Sequence, residues 1–465
     1  MGWNKLYESV LMLWDYPART WQWPLQWADK LMEYFSRGLA LLATLIIGLF
    51  PSMDPIIASQ IAGSVGYAPW AILSIPLRRT QSPEAEAAMA KAGGFMRGIC
   101  HADDDFALLS QANIEWERLD APWPFEADGV TLTAGYLGFR QRLADRTAAG
   151  MKTMLVTPYP AAYVNNGMDP RTPEGLAKTA ETTKFMVEDL KPYIGAVQIS
   201  NELGLERFMR PLNIEESAQF IIAQLKALHP IKGDILVGYN TAGPQMDLNA
   251  LVKPYSEYLD WFGLDIYLGC FFGFPSYMWV FDLAITAMWS YMQKPIIMAE
   301  FGYMSAGAPK TRAEKDALLM ERYGYPNEAA VRADPEGFLL AMEAYSPKFA
   351  DYVRAYSKGD QNAYLFGVDC ATHLYCELPA NFVIPGGYPH TPEGQAKFYT
   401  EVIPRFARYP YVIGEFIYSW KDASACYACG QTDCPQETGW GLLDGQGNPK
   451  PAFDAVKEAY GKLKG

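Results

Sequence analysis

The feature that most constrains this chain is a long alternation of β-like and helix-like segments. Eight short apolar runs recur along it: GFMRGI (94–99), NIEWERL (113–119), KTMLVT (152–157), GAVQIS (195–200), DILVGY (234–239), WFGLDIY (261–267), PIIMAE (295–300) and YVIGEFIYSW (411–420). Runs of this length, rich in β-branched and aromatic residues, read as buried strands. Between them lie helical segments with legible starts. Ser82-Pro83-Glu84, Thr172-Pro173-Glu174 and Thr391-Pro392-Glu393 each supply a hydroxyl cap, a proline at the first helical position and an acid in the first turn. The repeated TPEG is capping chemistry and not a structural repeat. Strands alternating with helices over about 370 residues predict an α/β fold, a (β/α)8 TIM barrel, with a doubly wound open sheet as the alternative. No GxGxxG or GxxxxGK[ST] motif stands in the chain, which weakens a nucleotide-binding version of that sheet.

The spacing also divides the chain. The barrel is expected over 81–465, with a long insertion at about 304–395, before the eighth strand. That insertion contains the helix-like stretches AEKDALLMERYGY and PEGFLLAMEAYSPKFADYVRAY. Such an excursion rises beside the mouth of a barrel and shapes its cleft. The turn-rich GLLDGQGNPKP leads into a last helix and reads as closure of the barrel, not as chemistry.

Residues 1–80 have a different character. Between Arg37 and Arg78 the only charge is Asp54, and the apolar runs 38–53 and 55–77 follow one another. Trp3, Trp14, Trp21, Trp23 and Trp27 precede them, and Lys30, Arg37, Arg78 and Arg79 flank them. Tryptophan favours the membrane–water interface, and positive flanks favour the cytoplasmic side. The segment is therefore expected to be an interfacial or re-entrant anchor that contacts lipid and leaves the barrel on the cytoplasmic side. A buried helical subdomain packed on the barrel is the other reading. Pro51, Pro55, Pro69 and Pro76 argue against two straight spans, and the first run is short of the roughly 20 residues a span needs. No secretory signal peptide is visible.

Composition excludes some partners. With 52 acids against 39 basic residues the net charge is −13, which argues against nucleic acid. Aromatic residues make up 14% of the chain. They fit either an aromatic core or stacking on sugar faces. The seven cysteines are Cys100, Cys270, Cys370, Cys376, Cys426, Cys429 and Cys434. The last three, in CYACGQTDC, are open to three readings: local disulfides, free thiols or a zinc site. No histidine lies near them, since the four are His101, His229, His373 and His390.

Barrel enzymes carry their chemistry at the C-terminal ends of strands. There stand His101 after the first run, Arg118 in the second, Asn201-Glu202 after the fourth, Tyr267 in the sixth, Glu300 at the end of the seventh and Trp420 at the end of the eighth. Strands four and seven face each other across a barrel mouth. Two carboxyl groups about 5–5.5 Å apart suit retaining glycoside hydrolysis. Arg118 and Tyr267 are the donors that keep a nucleophilic carboxylate ionised and oriented. Trp420 would offer a stacking floor for a sugar.

In these residues the region 94–460 resembles the large clan of (β/α)8 retaining glycosidases with an acid/base on strand four and a nucleophile on strand seven. That resemblance implies acid/base for Glu202, nucleophile for Glu300, and contact of Asn201 with the sugar 2-hydroxyl. It matches the strand-two arginine to Arg118 and the strand-six aromatic to Tyr267. HADDDFALLSQANIEWERLDAPW, YPYVIGEFIYSWKDA and GWGLLDGQGNPKPAFDAVKEAY look most like the catalytic domain of glycoside hydrolase family 2, the β-glucuronidases and β-galactosidases. The β-sandwich domains of that family are absent here, and the insertion and Cys-rich loop are unusual. No particular sugar is therefore carried over. His101, Asp120, Trp123 and Tyr159 are candidate subsite residues, each equally readable as a packed strand-end residue. The expected partner is a carbohydrate. The mechanism requires no cofactor, and no metal site is expected in the cleft. A transglycosidase would use the same residues. A barrel kept as a non-catalytic or carbohydrate-binding subunit of a membrane complex is the reading from another class.

Overall fold

A computed structural model describes residues 82–268, 270, 278–306, 312–345, 347, 350, 388–424 and 438–463, with scattered helical positions between 28 and 39. It is a closed barrel of eight parallel strands in sequential order. These are β1 Met96–Cys100, β2 Trp116–Asp120, β3 Lys152–Val156, β4 Ala196–Gln198, β5 Leu236–Ala242, β6 Trp261–Ile266, β7 Ile296–Phe301 and β8 Val412–Ile417. Each β-like run of the sequence supplies one strand, and β8 pairs back onto β1 to close the ring. The open-sheet alternative is thereby excluded.

The expected helix starts have their caps. Ser82 Oγ accepts from Ala85 N–H at 3.1 Å, Thr172 Oγ1 from Gly175 at 3.0 Å and Thr391 Oγ1 from Gly394 at 3.1 Å. The glycine of TPEG has a second reason. A Cβ on Gly175 would lie 1.9 Å from the Asp169 carbonyl oxygen, and one on Gly394 1.9 Å from that of Pro389. The chain entering each helix folds back over its first turn, so only hydrogen fits there.

Inside the barrel large and small residues alternate. Met96, Trp116, Met154, Leu236, Trp261, Ile297 and Phe416 form one buried cluster. Phe416 lies where a Cβ of Gly98 would be, 2.3 Å away, and Trp116 sits likewise over Gly195 at 2.6 Å. The lower barrel is thus plugged by side chains, and chemistry is confined to the upper rim. On β2 the period of two sends Glu117 outward to Arg146 of the helix Ala134–Ala148, a fully buried ion pair. Arg118, one residue on, points into the barrel.

Between β7 and β8 the described part of the insertion contains the helices Arg312–Tyr323, Glu328–Ala333 and Pro335–Tyr345. The GLLDGQGNPKP stretch ties β8 to the last helix, Pro451–Lys462. Leu443 N–H donates to the Trp420 carbonyl, and Lys450 Nζ pairs with Asp422 at 2.8 Å. Most of residues 1–80, the stretch 351–387 with Cys370, Cys376 and His373, and Cys426, Cys429 and Cys434 lie outside the described residues. Leu31, Tyr34 and Phe35 are described as exposed helical positions. No helix among the described residues is long and apolar enough to cross a membrane.

Candidate active site

Arg118 is the hub of the upper rim. It is 2% exposed, and its guanidinium reaches β4, the turn that follows β4, and β7. Nε donates to Gln198 Oε1 at 2.9 Å, Nη1 to Glu300 Oε1 at 2.6 Å and Nη2 to Asn201 Oδ1 at 2.6 Å. The second oxygen of Glu300 accepts from the Tyr267 hydroxyl at 2.5 Å. Burial, followed by the charges of Glu300 and Asp265, pushes the Tyr267 phenol well above its ordinary value, so it stays a donor. Glu300 is therefore held at both oxygens, by a cation on one side and a hydroxyl on the other.

A register shift delivers Glu300 to this place. On β6 and β7, Leu264 pairs with Met298 and Asp265 with Glu300, so Ala299 is skipped. Bulges of this kind re-aim a side chain at functional sites.

Glu202 follows β4 in a stretch of unusual backbone. His101, Ser200 and Glu202 take φ of 57°, 52° and 47°, the left-handed region that non-glycine residues enter at a cost. Side chains hold the β4 turn in place. Ser200 N–H donates to Thr157 Oγ1 at 2.9 Å, and Glu202 N–H to Asn240 Oδ1 at 3.0 Å. The backbone donor fixes which end of the Asn240 amide is oxygen. Its nitrogen then donates to Asn201 Oδ1 at 2.6 Å and to Asp265 Oδ2 at 2.5 Å. Asn201 Oδ1 thus collects donors from Arg118, Asn240 and Gln198. Asn240, Gln198 and Asp265 are members of the site that strand-end reading passes over.

Around these groups stands an aromatic rim. Tyr418 packs edge-on to Tyr267 at 6.0 Å, to Trp440 at 5.8 Å and to His101 at 5.7 Å between ring centroids. His101 is exposed, Tyr418 half-buried and Trp440 buried. The expectation for Trp420 is corrected here. Its ring is fully buried and its indole N–H donates to Asp103 Oδ1 at 2.8 Å. β8 ends at Ile417, so the side chain that comes to the rim is Tyr418, and Trp420 turns beneath it. The remaining candidates are dispersed. Asp120 is exposed at the end of β2, Trp123 packs edge-on to Tyr163 at 5.2 Å, and Tyr159 stacks on Phe208 at 5.5 Å. Cys100 and Cys270 are buried free thiols.

No family model and no curated protein matches the sequence. Among solved structures the chain is similar to a family 39 glycoside hydrolase from the gut symbiont Bacteroides cellulosilyticus. The identity is 13% and the TM-score 0.51, with 80% of this chain and 65% of that chain covered. It is also similar to a β-glucuronidase of Bacteroides uniformis, at 15% identity and a TM-score of 0.46, over 79% of this chain and 35% of that one. A family 2 β-galacturonidase of Eisenbergiella tayi matches at 11% identity and a TM-score of 0.45, over 79% and 51%. The first of these likenesses, at its low identity, speaks to the fold alone. The chain spans less than two thirds of the length of each of these three proteins.

Proposed function

We propose that this chain is a retaining β-glycosidase working by double displacement, with Glu300 as nucleophile and Glu202 as acid/base. The observation that carries the reading is the double clamp on Glu300. A carboxylate with Arg118 on one oxygen and Tyr267 on the other is held at both oxygens and aimed. In the first step a Glu300 oxygen bonds to the anomeric carbon while the bond to the leaving oxygen breaks, and Glu202 gives that oxygen a proton. In the second step water attacks the anomeric carbon, Glu202 takes the water's proton, and Glu300 leaves as carboxylate. Asn201, whose carbonyl oxygen is engaged by three donors, has its amide nitrogen to donate to the sugar 2-hydroxyl. Tyr418 supplies the apolar face at the rim. The substrate is a carbohydrate, and the similar solved structures, which are glycoside hydrolases, fit this reading at the level of fold.

The same reading attaches the barrel to a membrane surface, on its cytoplasmic side, through residues 1–80. Their tryptophans, apolar runs and basic flanks support it. Membrane-proximal glycoconjugates or polysaccharides then become the natural substrates. Full-length protein should pellet with membranes through a salt wash, and a chain starting at residue 81 should stay in the supernatant. Full-length protein monodisperse without detergent would refute the attachment.

The chemistry is tested with aryl β-glycosides and the Glu202→Ala variant. The variant should lose most turnover, and added azide should restore it by attacking the glycosyl-enzyme, giving a β-azide product. A Glu202→Ala enzyme as fast as wild type, or an α-azide, contradicts the mechanism. Aglycone release at the spontaneous rate in wild type, and unchanged in Glu300→Gln, would favour the non-catalytic subunit instead.

A further inference from the structure

Asp265 is a third carboxyl in the site, and the mechanism above does not use it. It lies on β6 level with Glu300 on β7, it is 3% exposed, and Asn240 Nδ2 donates to its Oδ2. Its Oδ1 receives no hydrogen bond from the described residues. The Glu202 carboxyl is in hydrogen-bonding contact with it. Two carboxyl groups in such contact have no donor between them unless one carries a proton.

The charges around it point the same way. Asp265 faces Glu202 after β4, Glu300 on β7, Arg118 on β2, Cys100 on β1 and Tyr267 beyond β6. Burial holds the Cys100 thiol and the Tyr267 phenol in their neutral forms. Arg118 is the one cation in this set, and its guanidinium is already bonded to Glu300, Asn201 and Gln198. Three ionised carboxylates beside one guanidinium would leave two buried negative charges unbalanced. Burial pushes the Asp265 carboxyl well above the usual carboxylate range, and the negative charges of Glu300 and Glu202 push it the same way, against Arg118.

We propose that Asp265 and Glu202 hold one proton between them, so that the acid/base of the reaction is a carboxyl pair and Asp265 is the positioning residue that retains its proton. This rests on the glycosidase reading for its consequence but not for its chemistry. Losing the shared proton would place two adjacent anions beside Glu300, so the pair keeps it to higher pH than Glu202 would alone. Asn240 sets the geometry, since one amide holds both the Glu202 backbone and the outer oxygen of Asp265.

The test is Asp265→Asn, which keeps the shape and the Asn240 contact and removes the titrating group. Its kcat/KM profile should keep the acidic limb and lose the alkaline shoulder, with that limb moving down by about one pH unit or more. A profile superimposable on wild type overturns the proposal. A readout independent of turnover accompanies it, the infrared carbonyl stretch of a protonated carboxylic acid at neutral pH. Burial also pushes the Glu415 carboxyl on β8 well above its ordinary value, so the band is read as the difference between wild type and Asp265→Asn, the fold of the variant being checked by circular dichroism. That difference should contain a carboxylic acid band lost with Asp265. A difference spectrum without the band also overturns the proposal. A wild-type protein whose difference spectrum shows the band but which turns over no glycoside refutes the enzyme reading and leaves the shared proton standing.

Discussion

Arg118 Nη1 stands 2.6 Å from Glu300 Oε1, in a pair that the barrel buries almost completely. β2 and β7 are not neighbours in the sheet, so this contact crosses the barrel's interior and ties its two sides together. It is also a contact that fixes one oxygen of the proposed nucleophile.

Arg118→Met removes the cation and leaves Glu300 buried without its charge partner. Breaking a buried pair in this way costs about 3–5 kcal/mol of stability, so the thermal midpoint should fall clearly. Arg118→Lys keeps a charge but loses the planar fork that serves Gln198, Asn201 and Glu300 together. Its kcat/KM is expected to fall about 100–1,000-fold with the fold intact. Steady-state kinetics beside calorimetry separate the two effects.

Tyr267→Phe deletes the hydroxyl that donates to the Glu300 carboxylate. A hydrogen bond to a charged group contributes about 1.5–3 kcal/mol, which predicts a loss of roughly 10–100-fold in kcat/KM. Unchanged kinetics would remove Tyr267 from the machinery.

Tyr418 and Trp420 should behave oppositely. Tyr418→Ala takes a half-buried ring from the rim and should raise KM, with the thermal midpoint little changed. Trp420→Phe abolishes the indole donor to Asp103 in a buried place. It should lower the thermal midpoint and leave KM close to wild type. The comparison is made on one substrate with both variants.

Glu415 on β8 predicts a pH-dependent stability outside the site. Among the described residues neither of its buried oxygens has a hydrogen bond of ordinary geometry, and the Tyr460 hydroxyl beside them donates to the Gly98 carbonyl at 3.3 Å. Burial pushes its carboxyl well above the ordinary glutamate value of 4.5. The folded state therefore holds a proton that the unfolded chain releases. That stabilisation is complete below about 4.5 and is lost as pH rises toward the folded value. Glu415→Gln should raise the thermal midpoint at pH 7 and leave it nearly unchanged at pH 4. A variant equal to wild type at both values contradicts the assignment.

The strands were legible because each is a short apolar run bounded by turn residues or capped helices, and that pattern survives without tertiary context. Arg118, Tyr267 and Glu300 stand at strand ends, where a barrel exposes them to one another, so their contacts follow once the fold is set. Asp265 sits inside the apolar run of β6, and Asn240 follows directly on the run 234–239, within β5. Nothing in their local sequence separates them from a satisfied core polar residue, and their network exists only after β4, β5, β6 and β7 close together. Trp420 was misplaced by three residues of strand length. The run 411–420 continues past Ile417 in sequence, but the ladder does not.

The central claim is that Glu300 forms a covalent bond to the sugar. It is tested most directly by intact mass and peptide mapping after incubation with a panel of 2-deoxy-2-fluoro glycosides and cyclitol epoxides. The account predicts a mass increase of one glycosyl or cyclitol unit, located on Glu300 and absent in Glu300→Gln. Labelling on another residue, or none from any probe of the panel on folded protein that turns over an aryl glycoside, would contradict it.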